Sequence, residues 1–187
     1  HRDLKPSNLL VDRDGKVKLL DFGIAKIVEP EDDDGGLSAA AGDRTEFRAM
    51  TPRYAAPEQL AGGLITPATD VYALGLLLFE LLAGRPPVAP EAADPFAAAR
   101  TLAERGAPRL AAVAEVDASR PEGRKLRQAL PADLDRIVAR AAAAVPRERY
   151  RSAGALADDL QRFLAGRPVA ARGDDRLDRA RKFLRRH

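Results

Sequence analysis

The run His1-Arg2-Asp3-Leu4-Lys5-Pro6-Ser7-Asn8, followed by Leu9-Leu10-Val11 and then by Val17-Lys18-Leu19-Leu20, decides how the rest of the chain is read. The two apolar runs enclose Asp12-Arg13-Asp14-Gly15, and Asp-Gly between short apolar segments is the turn chemistry of a β-hairpin. Ahead of the hairpin, a carboxylate, an ammonium and a carboxamide (Asp3, Lys5 and Asn8) share one short loop, where Pro6 sets a turn that can hold them on one rim. Alone, that trio is also what a chance surface turn contains. Its meaning depends on the residues downstream.

Directly after the second apolar run comes Asp21-Phe22-Gly23, and further on Thr51-Pro52-Arg53-Tyr54-Ala55-Ala56-Pro57-Glu58. Each block has a bland reading by itself: Asp-Phe-Gly is a common turn tripeptide, and Thr51 could be a capping hydroxyl. In this order and joined through a hairpin, they match the H-R-D-x-x-x-x-N catalytic loop, the D-F-G tripeptide and the A-P-E segment of protein kinases at every specified position. Over roughly residues 1 to 165 the chain resembles the eukaryotic-type serine/threonine protein kinases, and its Ala153 to Val169 segment resembles those of bacteria.

The resemblance implies an α+β, mainly α-helical, protein kinase-like fold. Residues 1–168 would be the C-terminal lobe, a catalytic-loop hairpin plus a helical bundle around a buried central helix, and residues 169–187 a basic amphipathic helix beside it. It implies transfer of the ATP γ-phosphate to Ser or Thr hydroxyls of protein substrates, with ATP and Mg2+ as the bound groups. Asp3 would orient the acceptor hydroxyl and take its proton, and Lys5 would offer a cation to the moving phosphoryl group. Asn8 and Asp21 would supply the hard oxygen ligands that magnesium prefers, with Lys5 also on the nucleotide side. Lys5 and Thr51, the latter facing Asp3 and Lys5, are the family's marks of Ser/Thr acceptors.

Three further positions carry structural roles by the same resemblance: Asp70 would accept main-chain N–H groups of the catalytic loop, and Glu58 would pair with Arg149. Arg2 and Lys26 would receive a phosphate on the loop between them and Thr51, with Thr45 the first candidate and Ser38 the second. A phosphothreonine carries close to two negative charges, enough to order such a loop between two cations. The alternative is that the acidic run Glu31 to Asp34 itself occupies Arg2. The resemblance also allows a dimer for trans-autophosphorylation.

Two departures matter. No acidic residue stands among Ala141 to Val145 ahead of Pro146, which touches packing or capping and not chemistry. No G-x-G-x-x-G loop or V-A-I-K strand occurs in the chain, which starts at His1 within a motif. The expectation is therefore a fragment lacking its N-terminal lobe, poor at binding ATP, inactive alone, and exposing apolar surface around Leu9, Leu10 and Leu20. A pseudokinase is a rival, though Asp3, Asn8 and Asp21 are all present. A small-molecule phosphotransferase is another, though it has no need of a segment like Thr51 to Glu58.

Composition bounds the remainder. With 45% hydrophobic residues, 187 residues suffice for one core, and a formal charge of +3 is too slight to argue for nucleic acid. Absence of Cys excludes disulfides and thiolate metal sites. Val71 to Leu82 is about half the ~20 apolar residues a membrane span needs and contains Glu80, so it reads as a buried helix. The expected location is the cytoplasm, or the cytoplasmic face of the inner membrane if the basic helix from Asp174 to Arg186 lies on anionic lipid beside an anchor beyond His187. Elsewhere the pattern predicts a loop over 29–46, a helix from Asp70 to Ala83 capped by Thr69-Asp70 and stopped by Gly84, and a helix over 94–105. After an irregular stretch over 106–130, it predicts helices from Pro131 to Ala143 and from Ala153 to Leu164.

Overall fold

The computed structural model describes residues 1–20, 52–88, 92–110 and 131–172. The predicted loop over 29–46, most of the irregular stretch and the basic helix from Asp174 to Arg186 lie outside them. The described residues are mainly helical with one small antiparallel sheet.

Strands β1 (Leu9–Val11) and β2 (Val17–Leu19) pair with Leu9 opposite Leu19 and Val11 opposite Val17. Asp12 builds the turn: its Oδ1 accepts the main-chain N–H groups of Asp14 (3.1 Å) and Lys16 (2.9 Å). Gly15 takes a φ of +77°, which glycine adopts without a Cβ penalty. Leu10 and Leu20 are exposed, as the sequence suggested, together with Val11 and Val17. Leu9 departs from that expectation: with its partner Leu19 it is half-buried against the core cluster containing Leu4 and Leu76, at the end of the hairpin away from the turn.

A short helix, α1 (Pro57–Leu60), leads into the long α2 (Pro67–Ala83). Helix α2 begins about one turn before the predicted Asp70. Thr66, not Thr69, is its N-cap: the Thr66 hydroxyl accepts from Ala68 N–H, and Thr69 Oγ1 accepts from Thr66 N–H (3.2 Å). Pro67 fits the first helical position, where no N–H is needed. Gly84 ends the helix in the left-handed conformation, with φ +70° and its N–H on Glu80 O. Tyr72, Leu76 and Phe79 are fully buried, and each such side chain contributes on the order of 1.5–3 kcal/mol by leaving water. The helix is not buried all round to its end, since Leu81 faces solvent.

Helix α3 (Pro95–Arg105) is capped by Asp94, whose Oδ1 accepts from Phe96 and Ala97 N–H, and it rests Ala99 and Leu102 on the segment around Pro52–Tyr54 and α1. Helix α4 (Ala132–Ala141) crosses α2 where Gly75 removes the side chain. A Cβ there would sit 2.8 Å from Ala142 N and 2.9 Å from the Ala141 Cβ. Leu134, Ile137, Val138 and Ala141 form the buried face of α4 as the period predicted. Helix α5 (Ala153–Leu164), capped by Ser152, buries Leu156 and half-buries Leu160 and Phe163. Leu164, assigned to the same face, is exposed because the last turn runs past the core. Beyond it the buried carboxylate of Asp159 accepts from Tyr150 OH and from the N–H groups of Ala170 and Ala171, keeping Val169 and Ala171 in the same core.

Candidate active site

The loop carrying Asp3, Lys5 and Asn8 is pinned from below by Leu4, which is buried in one cluster with Tyr54, Tyr72 and Leu76. Sending Leu4 inward leaves its neighbours Asp3 and Lys5 at the surface. The Lys5 Nζ lies 2.7 Å from Asp3 Oδ2, and both side chains remain partly open to solvent. A single 3-10 turn, Pro6–Asn8, then brings the Asn8 amide back: its Nδ2 donates to Asp3 O at 2.9 Å and approaches Asp3 Oδ2 at 3.4 Å. Two functional groups, an ammonium and a carboxamide, thus converge on Asp3 within eight residues of chain.

The main chain beneath Asp3 is held from the start of α2. Asp70 Oδ1 accepts from Arg2 N–H (2.9 Å), and Oδ2 accepts from the main-chain nitrogen of His1 (2.8 Å). Between them Arg2 takes a φ of +69°, the one positive φ of a non-glycine among the described residues. That conformation costs a side-chain-bearing residue about 1–2 kcal/mol, so it persists because its surroundings impose it. The His1 ring accepts from Asp3 N–H through Nδ1 (3.4 Å), which leaves Nε2 to donate to Leu20 O (3.2 Å). Leu20 N–H donates in turn to Asn8 O. The residue before Asp21 is therefore tied to both ends of the loop that carries Asp3 and Asn8.

The second wall is the segment ending in Ala-Pro-Glu. Glu58 receives two hydrogen bonds from the Arg149 guanidinium, 2.7 Å at Oε1 and 2.8 Å at Oε2, and a third from Thr69 Oγ1 at 2.8 Å. Burial pulls the Glu58 carboxyl upward, but the hydrogen bonds from Arg149, the main chain and Thr69 and the charge of Arg149 outweigh it, so the group is held below the ordinary carboxylate range. Arg149 also lies over the ring of Tyr72, 4.7 Å from its centroid. Burial pushes the Tyr72 phenol up to about 12.

Tyr54, in the same segment, donates to Glu80 Oε2 on α2 at 2.5 Å. Burial first, and the Glu80 carboxylate second, drive its phenol far above the usual range. Gln59 bridges to the loop that carries Asp3 by donating through Nε2 to Arg2 O at 2.9 Å. Sequence reasoning passed over Gln59, Thr69 as a partner of Glu58, and Glu80. Only Glu80 carried a signal, as an acid interrupting an apolar helix.

Asp21, Lys26, Ser38, Thr45 and Thr51 lie outside the described residues, and Arg2 has an exposed side chain. Among the described residues, no cluster of three or more His, Cys, Asp or Glu side chains could hold a metal, and no helix is long and apolar enough to cross a membrane. Asn8 nevertheless fits a hard cation by its chemistry. Committing Nδ2 to Asp3 turns Oδ1 away from it, leaving an amide oxygen of the kind magnesium accepts.

A family model described as "Protein kinase domain" matches residues 1–157. The chain is 34% identical over 161 residues to the serine/threonine-protein kinase PrkC of Bacillus subtilis, covering 86% of this chain and 21% of that protein. It is 35% identical over 161 residues to PknL of Mycobacterium tuberculosis, covering 86% of this chain and 34% of that protein. With PknB of the same species it shares 33% over 171 residues, covering 91% and 24%. The chain thus spans between about a fifth and a third of the length of these curated relatives.

Proposed function

The chain belongs to the protein kinase family, and from that premise we propose that it is the C-terminal lobe of a serine/threonine kinase that moves the γ-phosphate of ATP to Ser or Thr hydroxyls of protein substrates. The observation that carries this reading is the convergence of Lys5 and Asn8 on Asp3, over main chain clamped by Asp70.

On this reading Asp3 orients the acceptor hydroxyl and takes its proton as the oxygen attacks phosphorus. Asn8 steadies Asp3 through its amide nitrogen. Lys5, now paired with Asp3, supplies positive charge where the transferring phosphoryl group gathers negative charge, an effect worth most in a partly desolvated cleft. Asn8 and Asp21 would hold magnesium, which when bound neutralises phosphate charge. Thr51 would contact Asp3 and Lys5, Thr45 would be the phosphate-accepting position docked on Arg2 and Lys26, and the segment from Thr51 to Glu58 would seat the substrate.

The bacterial relatives favour a bacterial kinase, and we place it in the cytoplasm. These 187 residues contain neither a Gly-rich loop nor its partner lysine, so this lobe alone should transfer negligible phosphate. The test is incorporation of label from ATP with magnesium into a generic Ser/Thr substrate, comparing the complete protein, its Asp3→Asn variant and residues 1–187 alone. Transfer by the complete protein only, abolished in the variant, is the expected result. A folded complete protein that transfers nothing would move the reading to a binding module with a kinase fold.

A further inference from the structure

We propose that Gln59, directly after the substrate-seating segment and bonded to it at Ala56, is a positioning residue that sets the orientation of Asp3. The inference rests on the kinase reading above and adds a residue to its machinery. Asp70 fixes the N–H groups of His1 and Arg2, but nothing in that contact fixes the peptide plane joining Arg2 to Asp3. That plane is the last rotatable unit before the Asp3 Cα, and it follows a residue at φ +69°. Its carbonyl is the atom that Gln59 Nε2 grips at 2.9 Å.

The other end of the same side chain is equally committed. Gln59 Oε1 accepts from Ala56 N–H at 3.0 Å, and Gln59 N–H donates to Ala56 O at 2.9 Å. One carboxamide therefore connects the main chain of the Ala-Pro-Glu segment to the main chain of the catalytic loop, 57 positions away. Only a carboxamide of this length can donate at one end and accept at the other; a carboxylate cannot donate and leucine can do neither. Asp70 and Gln59 thus hold the N–H side and the C=O side of Arg2 from two different elements, α2 and α1. Any displacement of the substrate-seating segment is transmitted to the Arg2 carbonyl, and through it to Asp3.

The experiment uses the complete protein and two variants. Gln59→Leu removes both bonds, whereas Gln59→Glu keeps the acceptor for Ala56 N–H and removes only the donor to Arg2 O. Three quantities are read: kcat and KM for a Ser/Thr peptide, the melting temperature, and amide hydrogen exchange of residues 1–10. Both variants should lose on the order of 10–100-fold in kcat with KM within about twofold, since misplacing a reacting group by about an ångström has that effect. Catalytic-loop amides should exchange at least about tenfold faster, with little change in melting temperature for Gln59→Glu.

Unchanged kcat and exchange in Gln59→Glu would overturn the proposal, as would a rise in KM alone, which would make Gln59 part of substrate docking. If the unsubstituted protein transfers no phosphate, the kinase reading fails, while the exchange measurement still decides whether Gln59 orders the loop. A Gln59→Leu protein that does not fold leaves the decision with Gln59→Glu.

Discussion

Arg149 and Glu58 face each other across 91 positions of chain through two parallel hydrogen bonds, and the three remaining N–H groups of the guanidinium go to the carbonyl oxygens of Ala68, Ala143 and Ala144. Both partners are buried, so neither is solvated if the other is lost. The pair fastens α1 to the start of α2 and to the turn before α5.

Replacing Arg149 by Met should therefore destabilise the fold by about 3–5 kcal/mol, the usual consequence of leaving one buried charge without its partner. Arg149→Lys should recover little, because an ammonium cannot present a planar fork to Glu58 and the three carbonyls together. Thermal unfolding of the two variants checks both statements. Equal melting temperatures for Arg149→Met and the unsubstituted protein would refute the first.

The same pair sets an acid limit. Glu58 in the fold is held below its ordinary value of 4.5, so its contribution is fully present above that value and is lost as the pH falls through the folded value. The stability difference between the protein and its Glu58→Gln variant should be constant from neutral pH to about pH 5 and shrink below it. Denaturant unfolding at a series of pH values measures this. A difference that widens in acid would contradict the assigned direction.

Asp70→Ala should lower kcat by about 100-fold or more, through loss of both acceptors beneath Asp3, with a smaller change in substrate KM. Asp70→Asn, retaining one acceptor oxygen, should fall between. Steady-state kinetics of the complete protein on a Ser/Thr peptide would show it.

Gly75→Ala should cost about 1–3 kcal/mol, since the added methyl meets the main chain of α4 and not a side chain able to swing away. Chemical denaturation is the direct measure, and a neutral substitution would mean that α2 and α4 can separate by a few tenths of an ångström at no cost.

Tyr54→Phe should leave Glu80 without the phenol it now accepts from, at a cost of about 1–3 kcal/mol. A titration of tyrosine absorbance offers a second view. Tyr54 and Tyr72 should both resist ionisation beyond the ordinary phenol range, Tyr54 the more strongly, and the most resistant component should vanish in the variant while that of Tyr72 remains.

How much could be read from the sequence depends on how local each interaction is. Asp3, Lys5 and Asn8 lie within one turn of chain and announced themselves through an ordered motif, and helices α4 and α5 through a clean apolar period. The start of α2 was misplaced because Thr69-Asp70 also looks like a cap, while the better signal, Thr66 followed by proline, stood one turn upstream. Leu164 continues a periodic face into a turn where no core remains to cover it, and Leu9 differs from its exposed neighbours because its end of the hairpin packs on the core cluster of Leu4 and Leu76. Gln59 and Glu80 could not be assigned, since their partners Arg2 and Tyr54 are brought to them only by the packing of separate elements.

Helix α2 carries Asp70 in its first turn and Glu80 ten positions later, with Tyr72 and Leu76 buried between them. At 1.5 Å per residue the two acids are about 15 Å apart along the helix axis. One end sets the height of Asp3, the carboxylate proposed to take the proton, and the other sets the segment proposed to seat the polypeptide being modified. On the proposed function the helix works as a ruler: the reach from a seated polypeptide to Asp3 is laid down in the length of a single buried element, whichever residues that polypeptide carries.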